Sequence, residues 1–331
     1  MKTKILACLF AVALMGSMFT GCGDSAPGKD AQTEDGKVYQ IGITQFSDHG
    51  SLDNCREGFL QGLAKEGFVE GENLKVDYQS AQNEMAKVTQ IAQAFVNDNK
   101  DLVCGIATPS AQGLYAAAYE KGIPVIFNAV NDPVAAKLAV SSTQPMEGIT
   151  GVSDELPVED QLKLIRAVLP EAKTIGILYT TSEANSVSTI QIYKDLAPKY
   201  GFEILEKGIT KQAEIPQVMD VLLPEVDCIS NMTDNTVVSG LGVMLEKANA
   251  QNIPIFGSEE EQVQKGCIAS AGLDYVELGE MAGVMAARVL RGEDISTIPF
   301  EKVQQSKITV NQEAASALGI SLPDDVLAQA E

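Results

Sequence analysis

The chain has 331 residues, 45% hydrophobic and 21% charged, a globular composition with room for about two domains rather than a disordered or fibrous one. Forty-five acidic residues against 24 basic ones give a net charge of −21, which argues against nucleic acid as a partner, since a phosphate backbone needs a basic face. With a single histidine, His49, neither a zinc site of two or three imidazoles nor a second histidine-dependent triad can be built.

Residues 1–21 run from Lys2 and Lys4 through an apolar stretch, Ile5 to Met15, to small residues ahead of Cys22. This is the layout of a secretory signal peptide. Even extended through Phe19, the apolar core is shorter than the ~18 to 20 residues of a spanning helix. Phe19-Thr20-Gly21-Cys22 resembles a bacterial lipoprotein processing site, which makes Cys22 the lipidated residue; a plain signal peptide cleaved nearby is the alternative. Two or three acyl chains on one cysteine would anchor the protein stably to the membrane. Residues 22–37 are polar, without apolar periodicity, and read as a flexible tether. Cys55, Cys104, Cys228 and Cys267 remain, an even number that permits disulfides in an exported protein. Three of them sit in apolar strand-like runs, where a cysteine serves as a small buried hydrophobe, and none has metal-ligand spacing.

From Lys37 onward, short runs rich in Ile and Val alternate with segments of 3.6-residue periodicity, the signature of βα units around a parallel sheet. Strands are predicted at VYQIGIT, LKVDYQ, DLVCGIA, IPVIFN and GITGV, with helices near 52–66, 84–98 and 109–121. The pattern then restarts. KTIGIL at 173–178 echoes KVYQIGI at 37–43, and VDCISNMTDNTVVSG followed by IPIFGS echoes LVCGIATPSAQG followed by IPVIFN. The fold class is α/β, with two doubly wound Rossmann-like lobes whose ligand contacts lie at the carboxyl ends of the strands, in the cleft between them. Neither half carries GxGxxG or GxxxxGK[ST], so no nucleotide cofactor is expected, and no cofactor or metal of any other kind either.

The segments ITQFSDHGSLD, ATPSAQ, NDPV, GVSDELP, LYTTSEANS, TDN and DYVELGEMAGVMAARVLRGE, in this order and spacing over residues 38–331, resemble the ABC importer substrate-binding proteins of type I periplasmic architecture. The resemblance is to the family that includes the receptors of tryptophan and tyrosine importers. It implies three crossings between lobes, near Ser153-Asp154, Asp274 and Pro299. The first lobe is then 38–153 with 274–298, and the second 154–273 with 299–331. It also implies a monomer without enzymatic activity, capturing a small solute by hinge closure and delivering it to a membrane permease. A sensor lipoprotein presenting its liganded form to a membrane signalling protein, and a receptor for a sugar or nucleoside, are the alternatives. An extracytoplasmic hydrolase is disfavoured by the scattered carboxylates and the lack of a GxSxG or metal motif.

Candidate ligand residues follow from the predicted strand ends. Thr108 and Ser110 open a helix whose backbone N–H groups form an anion site for a ligand carboxylate. Asp234 and Asn235, at the corresponding turn of the second half, would face a ligand ammonium. Glu183, Asn185 and Ser186 occupy the same topological position after the strand that ends near Tyr179. Gln45, Phe46 and His49 follow the first strand, with ligand packing or hydrogen bonding rather than catalysis expected of His49. Asn128 and Asp132 follow the strand over 123–127, and Ser153 and Asp154 lie at the first crossing. Ser258, Glu259 and Asp274 are weaker candidates, because the run Glu259-Glu260-Glu261 reads as solvated. No Arg falls in these loops, so a dicarboxylate or phosphate clamp is not expected. A zwitterion fits better, and by family resemblance an aromatic amino acid.

Overall fold

Strand β1 (Tyr39–Gln45) is buried at every position except Gln40, because helices cover both faces of the sheet it enters. The computed structural model describes residues 36–303 and 305–330. The predicted leader over 1–21, Cys22 and the tether through residue 35 lie outside the described residues. The chain continues through α1 (Gly50–Lys65), β2 (Leu74–Ser80), α2 (Met85–Asn97), β3 (Leu102–Ile106), α3 (Thr108–Ala118), β4 (Val125–Asn128) and β5 (Ile149–Ser153). These strands pair in parallel in the order β2-β1-β3-β4-β5.

After β5 the pattern repeats. The second series is α4 (Val158–Val168), β6 (Thr174–Thr180), α5 (Ala184–Leu196), β7 (Glu203–Ile209), α6 (Ile215–Leu222), β8 (Cys228–Ser230), α7 (Asn235–Ser239), α8 (Leu241–Ala250), β9 (Ile255–Phe256), α9 (Glu260–Gln264) and β10 (Ala269–Gly272). Its parallel sheet runs β7-β6-β8-β9, and β10 joins beside β9 through Gly257 N to Ala269 O and Ile268 N to Ile255 O, both 2.9 Å. The strand order of the first lobe is thus reproduced in the second. In each, the direction of winding reverses between the first and third strands, which places a crevice at the carboxyl end.

The remaining elements cross between lobes. Helix α10 (Tyr275–Leu290) packs on α1, β11 (Glu301–Lys302) extends the first sheet, β12 (Lys307–Val310) pairs antiparallel with β10, and α11 (Gln312–Ala317) and α12 (Asp324–Leu327) lie with the second lobe's core. Glu301 pairs with Val152 and Lys302 with Ser153, so the chain leaves the first sheet after Lys302 rather than near Pro299. Cys55, Cys104, Cys228 and Cys267 are free and buried, with their thiols pushed up by burial. No helix among the described residues is long and apolar enough to cross a membrane.

Four glycines bring α1 and α10 together. A Cβ on Gly58 would fall 2.1 Å from Val276 O, on Gly62 2.3 Å from Glu280 O, on Gly279 2.2 Å from Cys55 O, and on Gly283 2.2 Å from Phe59 O. The i, i+4 spacing in each helix puts both glycines on one face, so the backbones touch directly. This contact fixes the start of α10, and with it Tyr275.

Candidate functional site

The loops at the strand ends of both lobes converge on one small cavity. The first lobe contributes His49 and Leu52 after β1, Ala107 and Thr108 after β3, Ala129 and Asn131 after β4, and Asp154 after β5. Facing them are Asn185 after β6, Thr233 and Asn235 after β8, and Glu259 after β9, with Tyr275 at the start of α10.

The wall at β3 and β4 has a strained backbone. Ala107 and Ala129 hold φ of +74° and +54°, a region that favours glycine and persists only where packing enforces it. Ala107 precedes α3, which begins Thr108-Pro109 and has no side-chain cap. The Thr108 hydroxyl is buried without a partner. An uncapped helix start with an orphaned hydroxyl suits an anionic group, favoured by both the first-turn N–H groups and the helix dipole.

Two buried carboxyls supply the opposite charge. Asp154 accepts from the Tyr275 hydroxyl at 2.8 Å through Oδ2, while its Oδ1 has no partner. Burial pushes its pKa up to about 7. Glu259 accepts from Gln262 at 2.9 Å through Oε1, its Oε2 has no partner, and burial again raises its pKa. The Asn185 carbonyl oxygen is orphaned too. Among the described residues no Arg or Lys lines the cavity.

Sequence reasoning predicts fourteen ligand residues, of which the structure brings His49, Thr108, Asp154, Asn185 and Asn235 to the cavity wall. The others lie off the cavity wall; Ser110 Oγ and Asn128 Oδ1 are buried without a partner, and the rest bond or pack elsewhere. Asp234 accepts from Thr180 N at 2.6 Å, Thr180 Oγ1 at 2.8 Å, Ser186 Oγ at 2.7 Å and Val237 N at 2.9 Å, so its carboxylate is saturated by the lobe's own donors. Glu183 accepts from Asn235 and Thr236, by backbone and side chain in each case, and closes the start of α7. Gln45 is held by Ser47 O and Asp53, Ser153 donates to Asn131 O, and Asp132 caps Val134 N and Ala135 N. Asn128 reaches Cys55 O at 3.5 Å, Ser110 is buried in the first turn of α3, and Tyr179 packs on the second lobe's core. Phe46 likewise belongs to the first lobe's core. Of the weaker candidates, Asp274 caps α10 and Ser258 donates to Asn231 O, whereas Glu259 is buried at the cavity rather than solvated. Leu52, Ala107, Ala129, Asn131, Thr233 and Tyr275 complete the wall without having been singled out.

The lobes are shut on each other by contacts flanking the cavity. Ser239 of the second lobe meets Ser47 at 2.8 Å and Asn83 at 3.1 Å. Glu261 accepts from Ser51 at 3.0 Å and from Asn54, both in the first turns of α1. A Cβ on Gly50 would lie 2.9 Å from Glu261 Cγ, so a glycine there admits the side chain. Glu261→Ala is expected to weaken ligand binding about fivefold, as a faster dissociation rate, because closure loses two charge-assisted bonds in a half-buried setting. Stopped-flow dissociation checks this; an unchanged off-rate would mean that these bonds do not hold the closed form.

Comparison with known proteins agrees with this architecture. Residues 40–331 match the family described as ABC transporter substrate binding protein. The chain belongs to that family. This substrate-binding protein is 40% identical over 319 residues to a tyrosine-binding protein of Clostridioides difficile, covering 95% of this chain and 92% of the relative. A Streptococcus pneumoniae ABC domain in complex with L-Trp superposes with a TM-score of 0.86 at 35% identity, covering 89% of this chain and 99% of that one. The ligand-free, open structure of a substrate-binding protein with adhesive properties from Clostridium difficile gives only 0.66 at 40% identity, covering 87% and 97%. Higher identity with poorer superposition is what a rotation between lobes produces, and the shut lobes described above match the complex. The fold is that of type I periplasmic binding proteins, with two lobes. Among the described residues no group of His, Cys, Asp and Glu is arranged to hold a metal ion.

Proposed function

We propose that the protein is the extracytoplasmic receptor of an ABC importer, taking one aromatic amino acid into the cavity and delivering it to the permease. The observation that carries this reading is the pairing, in one enclosed volume, of the uncapped start of α3 with the unpartnered oxygens of Asp154 and Glu259. A zwitterion satisfies both at once, its carboxylate at the helix and its ammonium at the acids. The relatives named for tyrosine and solved with L-Trp support the aromatic class.

On this reading the two lobes hinge about the segments joining β5 to α4, β10 to α10 and β11 to β12, and the protein acts as a monomer without turnover. Lipidation of Cys22 would tether it to the membrane beside its permease. The test is a thermal-shift screen of residues 30–331, refolded to strip carried-over ligand, against amino acids, sugars and nucleosides. Tyrosine or tryptophan at a hundred times Kd should add about 2.7 kcal/mol of stability. Shifts with sugars or nucleosides and none with amino acids would sink the proposal.

A further inference from the structure

Beside the Thr108 hydroxyl, which is assigned above to the ligand carboxylate, four buried polar atoms of the described residues at the cavity are unpartnered: His49 Nδ1, Asp154 Oδ1, Asn185 Oδ1 and Glu259 Oε2. An α-ammonium brings three N–H donors. One acceptor is therefore left over when a zwitterion enters, and an enclosed acceptor without a donor is costly. Phenylalanine cannot supply the missing donor, because its ring has none. Tyrosine has a phenol O–H, and tryptophan an indole N–H.

The leftover acceptor is identified by charge. The two carboxyl oxygens are the stronger partners for an ammonium, and the Asn185 amide lies on the same side as one of them, its neighbour Thr233 bonding Asn131, which in turn bonds Asp154 O at 2.9 Å. His49 carries no charge to offer an ammonium, and it enters the cavity from the loop after β1, three strand positions along the first sheet from the β5 end that carries Asp154. Three observations fit the imidazole to a neutral donor. It occupies the N-cap of α1 yet makes no capping bond, and a neutral imidazole with its proton on Nε2 presents Nδ1 as an acceptor. The ring is 8% exposed, and burial holds its pKa down at about 4, so it is uncharged at neutral pH. Asn235, whose amide nitrogen donates to Glu183 at 2.6 Å, lines the same cavity, and Leu52 offers an apolar wall one turn away.

We infer that His49 Nδ1 reads the hydrogen-bond donor on the ligand's ring, so that the cavity selects phenol- or indole-bearing amino acids over phenylalanine. This rests on the aromatic amino acid reading above. The cost of leaving the acceptor unpaired sets the expected preference at roughly ten- to hundredfold.

The test titrates L-tyrosine, L-tryptophan and L-phenylalanine calorimetrically into the wild type, His49→Leu and His49→Gln. Imidazole 15N NMR accompanies it, where the single histidine gives one unambiguous pair of signals. The wild type should bind tyrosine or tryptophan at least tenfold more tightly than phenylalanine, His49→Leu should reduce that preference below about threefold, and His49→Gln, which retains an acceptor, should restore part of it. Nδ1 should shift with the donor-bearing ligand and stay in place with phenylalanine, a result that needs no variant to fold. Equal affinity of the wild type for all three would overturn the inference while leaving the aromatic class intact. So would a preference that survives His49→Leu, an equal loss on every ligand, or an Nδ1 signal indifferent to the ligand. Binding of none of the three would overturn the ligand class itself, and the inference with it.

Discussion

Gly279→Ala is expected to destabilise the protein by about 3 kcal/mol, the upper end for overpacking, because the new methyl falls on the Cys55 carbonyl, 2.2 Å away, and not on a side chain that can turn aside. The two helices would have to part, and all four glycines share the contact, so the loss spreads along the whole crossing. At roughly 2–4 °C per kcal/mol, the melting temperature falls by about 6–12 °C. Gly242→Ala in α8 is the control, since its Cβ would meet nothing within 4 Å. There the same chemical change should gain up to about 1 kcal/mol from helix propensity. Opposite signs for one substitution type in two helices would isolate the packing term. A melting temperature for Gly279→Ala within about 2 °C of the parent would show that the helices separate without cost. The effect also reaches the cavity, because α10 begins at Tyr275, whose hydroxyl holds Asp154.

The strands of both lobes are legible because a parallel sheet covered on two faces leaves unbroken apolar runs, as in Leu102–Ile106, where every residue is buried. β11 is not legible. It is two polar residues, Glu301 and Lys302, recruited by backbone pairing to β5 alone. The loops that form the cavity could be named from topology, since a doubly wound sheet presents its ligand at strand ends. Which side chain of each loop turns inward could not. In Thr233-Asp234-Asn235 the middle residue is claimed by Val237 N and Thr180, because a carboxylate at an N-cap is drawn to its own helix, and its two neighbours face the cavity. Glu259 misleads for the converse reason. Within three consecutive acids it looks solvated, yet as the residue before α9 it folds inward while Glu260 stays exposed. The glycines of α1 and α10 are visible as i, i+4 pairs, but nothing local says that two helices so far apart in sequence will meet through them.

Asp154→Asn should weaken binding of the amino acid by about thirtyfold or more, since disrupting one partner of a buried charge pair costs about 2–5 kcal/mol. The same substitution should make closure easier without ligand, and the two effects have one cause. In the shut form burial raises the Asp154 pKa from 3.8 to about 7. In an open cleft the side chain meets water and titrates near its ordinary value. Shutting the lobes at neutral pH without a cation therefore costs up to about 4 kcal/mol, through a buried charge or an uptaken proton. For a carboxyl with a raised pKa the penalty is full above about 7 and disappears as the pH falls toward 3.8, so acidification should shift the ligand-free protein toward the closed form across that window. A ligand ammonium removes the penalty at any pH, which is how one charge can make closure conditional on cargo. The amide introduced by Asp154→Asn carries no charge to desolvate, so the ligand-free variant should already be partly closed at about pH 7.5 and insensitive to acidification through this residue. Small-angle scattering measures closure, and calorimetry the affinity. A variant that keeps wild-type affinity, or a ligand-free wild type equally open at about pH 7.5 and about pH 5, would break the link between the buried acid and the closing of the lobes.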